Sequence, residues 1–135
     1  MEIRQITAKD TWAIRHQVMW PNKPFDYVKL EEDEQGLHFG VCDGNKLVSV
    51  ISLFMDGDEA QFRKFATRTE VQGRGYGTAL LRHLANEARI YAIRRLWCNA
   101  RTAKAAFYEK AGFRKTDRTF KKDGMDYVVM EKLTP

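Results

Sequence analysis

A chain of 135 residues, 44% hydrophobic and 30% charged, has the size and composition of one ordinary globular domain able to bury a core. Its formal charge of +5 and pI near 9.3 suit an anionic partner, whether nucleic acid, a membrane surface or a phosphate-bearing small molecule, and equally a basic surface that is merely solvated. Two widely spaced cysteines, Cys42 and Cys98, form no CxxC and have no neighbour at metal-ligand spacing, which excludes a disulfide scaffold and a metal site and leaves both as reduced core residues.

The opening MEIRQITAKD lacks the apolar stretch and cleavage pattern of a secretory leader, and IRQI reads as a short first strand. Asp10 is the expected N-cap of a helix over TWAIRHQVMW, stopped by Pro21 and Pro24. From Pro21 to Gln35 the pattern is mixed, with room for a second short helix and an acidic run, Glu31 to Glu34, of the kind that usually marks a solvated face. Three Asp-Gly pairs, at Asp43-Gly44, Asp56-Gly57 and Asp123-Gly124, then separate runs rich in Val, Ile, Phe and Tyr. Both positions of such a pair tolerate positive φ, so each predicts a hairpin. The strands fall at about 37–42, 46–55 and 59–67, with a C-terminal pair at about 113–120 and 125–133. The apolar run Leu47 to Met55 is too short to cross a bilayer.

Between the hairpins the period changes. Tyr76, Leu80, Leu84 and Ala88 recur every four residues, an amphipathic helix to about Ala92. RRLWCNA is a short buried strand, and a second helix runs from about Thr102 to Ala111, closed by Gly112. A helix joining adjacent strands implies a right-handed parallel crossover. The expected fold is therefore α/β, or α+β in the stricter sense: a mixed, mainly antiparallel sheet with a central parallel strand pair, flanked by helices. It is expected to be a single domain over residues 1–135, cytoplasmic and with no membrane partner.

The stretch VQGRGYGTALL places Gly73, Gly75 and Gly77 on alternate positions ahead of that amphipathic helix. Glycine inside an element costs about 0.5–1 kcal/mol relative to alanine, so this spacing requires either a tight turn or a close approach to the backbone. A loop whose N–H groups face one concavity at a helix N-terminus holds anions, aided by roughly half a positive charge from the helix dipole. A plain strand-to-helix turn is the bland alternative. Two phosphate motifs are excluded: no Gly-Lys-Ser/Thr occurs, and the spacing is not GxGxxG, with no Asp or Glu between Glu87 and Glu109 to hold a ribose.

Gln72-Gly73-Arg74-Gly75-Tyr76-Gly77 resembles the Q/R-x-x-G-x-G/A signature of the GNAT superfamily of N-acetyltransferases, and AAFYEKAGF resembles that family's second recurrent element. The likeness extends over about residues 40 to 133. It implies the acyl-CoA N-acyltransferase fold and acetyl-coenzyme A as co-substrate, with no metal. It further implies that main-chain groups of the Phe65, Ala66 and Thr67 stretch pair with the pantetheine arm like an added strand. Amides from Gln72 through Gly73, Arg74, Gly75, Tyr76 and Gly77 to Thr78 would hold the pyrophosphate, with the Thr78 hydroxyl as a further donor. The strands RKFAT and LWCNA would splay to admit the thioester, and Tyr108 matches the family's usual general acid. Where the family often has Asn, this chain has Arg101, and Lys104 replaces a frequent Ala. Both add positive charge near the expected cofactor and leave Asn99 and Arg101 as the two candidates for the pantetheine amides.

Acetyl transfer to an amine needs a deprotonated amine, a polarised carbonyl and a proton for the departing thiolate. A phenol of pKa about 10 can protonate a thiolate whose conjugate acid lies near 8.5. Ala103, Phe107 and Ala111 form an i, i+4 stripe expected to face the core, which would put Tyr108 about 100° away on the flank. No general base is assigned: Glu59 is an exposed hairpin residue in its commoner use, Gln61 cannot take a proton, and His16 and His83 have no support. The acceptor is expected at the N-terminal third, where Trp12, Trp20, Phe25 and Tyr27 offer aromatic surface and Glu31 to Glu34 could draw a cationic amine. Its expected class is a small-molecule or protein amine, and a homodimer is allowed. The rival readings are a basic nucleic-acid-binding module, for which RTFKKDGMDY gives slight support, and a catalytically silent coenzyme A sensor.

Overall fold

A computed structural model describes residues 1–134. In chain order they form β1 (Glu2–Ile6), α1 (Ala8–Ile14), β2 (Leu37–Asp43), β3 (Lys46–Asp56), β4 (Glu59–Thr67), α2 (Tyr76–Ile90), β5 (Arg95–Arg101), α3 (Ala105–Lys110), β6 (Arg114–Lys122) and β7 (Met125–Leu133). The seven strands make one sheet of order β1-β2-β3-β4-β5-β7-β6, antiparallel throughout except for the β4–β5 pair. This is the mixed sheet expected from the alternation of hairpins and crossover.

The Asp-Gly pairs do form the hairpins, by two geometries. At Asp123-Gly124 both residues adopt positive φ, 52° and 78°. At the other two, Asp43 and Asp56 end their strands and only the glycine, at φ 65° for Gly44 and 63° for Gly57, opens the turn. The α1 cap also differs from expectation. Thr7 is the N-cap, its hydroxyl accepting from the Asp10 amide at 3.3 Å, while the Asp10 carboxylate accepts from the Thr7 amide at 3.0 Å. Asp10 therefore closes a capping box from the first turn. From Arg15 to Met19 the helix widens into a π-helical stretch that ends at Trp20.

The sheet carries two helical layers. On one face α2 sends Leu80, Leu81, Leu84 and Ala88 against Phe39, Val41, Ile51, Leu53 and Phe62, the main core. On the other, α1 places Ile14 against Val50 and Ala66. Burying one such side chain contributes about 1.5–3 kcal/mol. A bulge in β4 opposite Ile51 interrupts the β3–β4 register, with Lys64 at φ 55°. It leaves Phe62 and Phe65 on the same face, although strand alternation would separate them.

Under α1 lies a buried polar network. Arg15 is fully buried and binds the Asp33 carboxylate with two bonds of 2.8 and 2.9 Å, the Ser52 hydroxyl at 2.9 Å and the Val28 carbonyl at 3.0 Å. Asp33 also accepts from the Trp12 indole and the Leu30 amide. His38 Nε2 lies 2.7 Å from the Asp33 carbonyl, which can only accept, so Nε2 donates there, while Nδ1 lies 2.7 Å from the Ser52 hydroxyl. The acidic run is thus only partly a solvated face: Asp33 is internal, and Glu32 binds Arg63.

Burial alone would raise the Asp33 pKa, but the donors around it outweigh burial and hold the carboxyl below its ordinary 3.8. A depressed carboxylate adds stability that is complete above its unfolded pKa and is lost as pH falls through the folded value. Asp33→Ala should cost about 3–5 kcal/mol at pH 7, because Arg15 is left buried and unpaired. Urea unfolding at pH 7 checks this, and the gap between wild type and variant should narrow only below about pH 4.

Candidate active site

β4 and β5 pair in parallel only where Glu59–Gln61 face Arg95–Trp97. Beyond that point β4 stays paired to β3 as far as Thr67, and β5 stays paired to β7 as far as Arg101. The facing edges of residues 62–67 and 98–101 therefore part, as the sequence likeness implied, and Phe65, Ala66 and Thr67 lie on the opened edge. At its top the Gln72 side-chain amide donates to the Thr67 carbonyl at 3.0 Å, tying the loop to the strand end.

The three loop glycines serve two purposes. Gly73 and Gly75 stand at φ 81° and 90°, and a Cβ on either would point into open space. Gly77 is needed for contact instead: a Cβ there would lie 3.0 Å from Phe65 Cζ and 3.7 Å from Phe107 Cζ. Among the described residues, the Gln72 amide donates to the Thr69 carbonyl at 3.4 Å, and the next amide with a main-chain acceptor is Ala79, which donates to the Gly75 carbonyl at 3.0 Å. The amides of residues 73–78 thus have no protein acceptor, and six donors gather at the positive end of the helix dipole. The Tyr76 hydroxyl donates to Asp43 at 3.0 Å and anchors the helix start to the β2–β3 turn.

Tyr108 projects from α3 toward the same opening. Its ring sits among Phe62, Phe65, Phe107 and Phe113 at centroid distances of 5.9, 6.5, 5.3 and 6.1 Å. The expected helix phase is corrected here: Ala105 is the buried residue, Tyr108 and Ala111 are half-buried beside it, and Ala103 and Phe107 are exposed. A 3-10 turn over Thr102–Lys104 precedes the α-helix and rotates the phase read from a continuous helix. Burial, with a smaller contribution from Cys98, raises the Tyr108 pKa above the ordinary phenol value, so the hydroxyl holds its proton. Burial likewise pushes the Cys98 thiol up to about 12, which removes it as a nucleophile. Both cysteines are free and buried, as expected.

The remaining candidates are more dispersed. Asn99 and Arg101 alternate on β5 with the core residues Cys98 and Ala100, so both side chains are exposed on the α1 face of the sheet. Lys104 sits at the N-cap of α3, and Arg74 is exposed in the glycine loop. Beside the loop a cleft of about 340 Å³ between α2 and α3 is lined by Thr78 and by Arg82, Arg89, Lys110 and Lys132, with no carboxylate. These four cations escaped sequence reasoning because they come from three separate elements. Glu59 lies where the strands are still paired and binds Arg95 at 3.0 Å, and His83 lies 3.4 Å from Glu87 with its ring against Phe39. Neither reaches the opening. His16 binds the Lys23 carbonyl at 2.7 Å.

Residues 17–134 match the family model described as the acetyltransferase (GNAT) domain. The chain belongs to the GNAT acetyltransferase family. It is 27% identical to the uncharacterized N-acetyltransferase YitI of Bacillus subtilis strain 168, over 98% of this chain and 95% of that protein. It is 30% identical to the ribosomal protein bS18-alanine N-acetyltransferase of Escherichia coli K12, over 73% of this chain and 66% of that one. The solved GNAT acetyltransferase of Elizabethkingia anophelis with acetyl-CoA bound superimposes with a TM-score of 0.79 at 17% identity, over 98% of this chain and 97% of that chain.

The glycine geometry separates two substitutions. Gly75→Ala forces a side chain into the left-handed region and should cost about 1–2 kcal/mol of stability. Gly77→Ala meets no such penalty in backbone conformation but must displace the Phe65 ring. Denaturant melts of the two variants check this, with a shift of the Phe65 ring resonances expected only in Gly77→Ala.

Proposed function

We propose that this protein moves the acetyl group of acetyl-coenzyme A to an amine nitrogen by direct attack, with Tyr108 as the general acid. The observation that carries the reading is two sets of unpaired main-chain groups, separated by the hydrogen-bonded turn from Arg68 to Gln72. The first is the opened edge of β4 and the second the six free amides at the N-terminus of α2. Backbone polar groups require partners, and an amide-bearing arm ending in a pyrophosphate supplies both kinds in that order. Phe65, Ala66 and Thr67 would pair with the arm, and the amides of residues 73–78 would hold the pyrophosphate, with open space above Gly73 and Gly75 to accommodate it; the Gln72 amide, expected to join them, is instead bonded to the Thr69 carbonyl. Arg74, in the loop, and Lys104, at the start of α3, would add positive charge near the cofactor, and the cationic cleft beside Thr78 suits a further phosphate. Asn99 and Arg101 would approach the arm from the α1 face.

When bound, acetyl-coenzyme A supplies the acetyl thioester. The amine nitrogen bonds to the carbonyl carbon, the carbon–sulfur bond breaks, the thiolate takes the Tyr108 proton, and the proton shed by the nitrogen passes to water, from which the Tyr108 phenolate is reprotonated. Apolar rings packed around Tyr108 bury much of its ring and keep the phenol neutral. No side chain is assigned as the base, since Glu59 is held by Arg95 and Gln61 cannot accept a proton. The acceptor is a small-molecule or protein amine reaching the opening from the α1 side.

Acetyl-coenzyme A at one hundred times its dissociation constant should stabilise the fold by about 2.7 kcal/mol, read as a rise in melting temperature. Tyr108→Phe keeps the ring and removes the proton, so turnover at saturating substrate should fall by about 10²–10⁴ while cofactor affinity stays within a few-fold. Because the phenol pKa is raised and the protonated form acts, activity dependent on Tyr108 should be lost only as pH rises above about 10. Undiminished turnover in Tyr108→Phe would remove Tyr108 from the mechanism.

A further inference from the structure

The β4 bulge that brings Phe62 and Phe65 to one face turns the two residues between them, Arg63 and Lys64, to the other. Arg63 is neutralised there by Glu32. Lys64 is not: among the described residues no carboxylate pairs with it, and the charges around it are Arg63, Arg15 and Lys122. Asp33 attracts it, yet that carboxylate is already held by both guanidinium nitrogens of Arg15. The ammonium is half-buried, 5.9 Å from the centre of the Trp20 ring, and the Trp20 indole N–H is itself buried with no partner. The backbone at Lys64 also stands at φ 55°, a conformation that costs a non-glycine residue energy and is retained where a site needs it. A half-buried ammonium without a counter-ion is costly, and an ammonium only donates. The group that completes this corner is an anionic acceptor.

Resting on the acetyl-transfer reading, we propose that Lys64, beside Trp20, holds a carboxylate of the acceptor, so that the substrates are amines bearing a carboxylate within a few bonds of the reacting nitrogen. Lys64 lies at the opened part of β4, past the last β4–β5 pair at Gln61–Trp97, on the α1 face by which the acceptor would approach. A polycationic amine would meet Lys64 with the wrong sign. The acidic run that could have drawn such an amine has Asp33 and Glu32 already committed to Arg15 and Arg63. The carboxylate can belong to a free amino acid or to an acidic residue next to a peptide N-terminus.

The test is calorimetric titration of the protein saturated with coenzyme A, using product-like probes in matched pairs. N-acetylglycine is compared with N-acetylglycinamide, and N-acetyl-alanyl-aspartyl amide with its asparaginyl counterpart. At least one carboxylate should bind roughly 10-fold or more tightly than its neutral partner, the scale of one charge-assisted hydrogen bond. The favoured pair identifies the source of the carboxylate. Lys64→Met should bind coenzyme A as the wild type does and lose the preference, and Lys64→Arg should keep it. Equal affinities within both pairs, or a preference that survives in Lys64→Met, would overturn this inference and leave the acetyl-transfer reading standing. Failure of the wild type to bind coenzyme A would overturn that reading and this one together.

Discussion

Main-chain N–H and C=O groups demand partners, and in this sheet β4 and β5 deny them to each other after three residue pairs. Everything at the candidate site depends on that interruption. Each strand remains fixed on its outer side, β4 by β3 and β5 by β7, so the opening is held rigidly and cannot close by simple re-pairing. The loop that follows β4 continues the pattern, with six consecutive amides directed to no protein acceptor. So many free donors in one place suit the proposed pyrophosphate, a ligand rich in acceptors.

The bulge at Lys64 links the opening to the rest of the molecule. By placing Phe65 on the same face as Phe62, it supplies the ring that Gly77 packs against and that helps enclose Tyr108. On the reverse face it pushes an unpaired ammonium toward Trp20, at the end of the π-helical stretch that begins with Arg15. The Arg15–Asp33–Ser52–His38 network then fixes the segment 20–34 against the sheet. Because a buried ion pair seldom adds much net stability over apolar packing, its effect is better understood as positioning: it defines where the irregular N-terminal segment sits over the opening.

The strands and α2 were legible because their patterns are local. Asp-Gly turns, β-branched runs and the four-residue recurrence from Tyr76 to Ala88 each declare an element without tertiary information. The glycine loop was legible because positive φ and close approach are properties of single residues. The Thr7 capping box has a local signature too, Thr-x-x-Asp ahead of an apolar run, and reading Asp10 as the cap overlooks it. Three features were not legible. The phase of α3 was misread because the 3-10 turn at Thr102–Lys104 breaks the periodicity on which such readings rest. The Arg15–Asp33 pair and the cationic cleft join residues far apart in sequence, and no spacing rule connects them.

The account stands on the opened β4 edge and the free loop amides being the cofactor's seat. Amide hydrogen exchange with and without acetyl-coenzyme A reads those groups directly. On adding the ligand, protection should rise at residues 73–78 and along Phe65 to Thr67, while Glu59 to Gln61, already paired to β5, should not change. Unaltered exchange at residues 73–78 in the presence of saturating acetyl-coenzyme A would contradict the account.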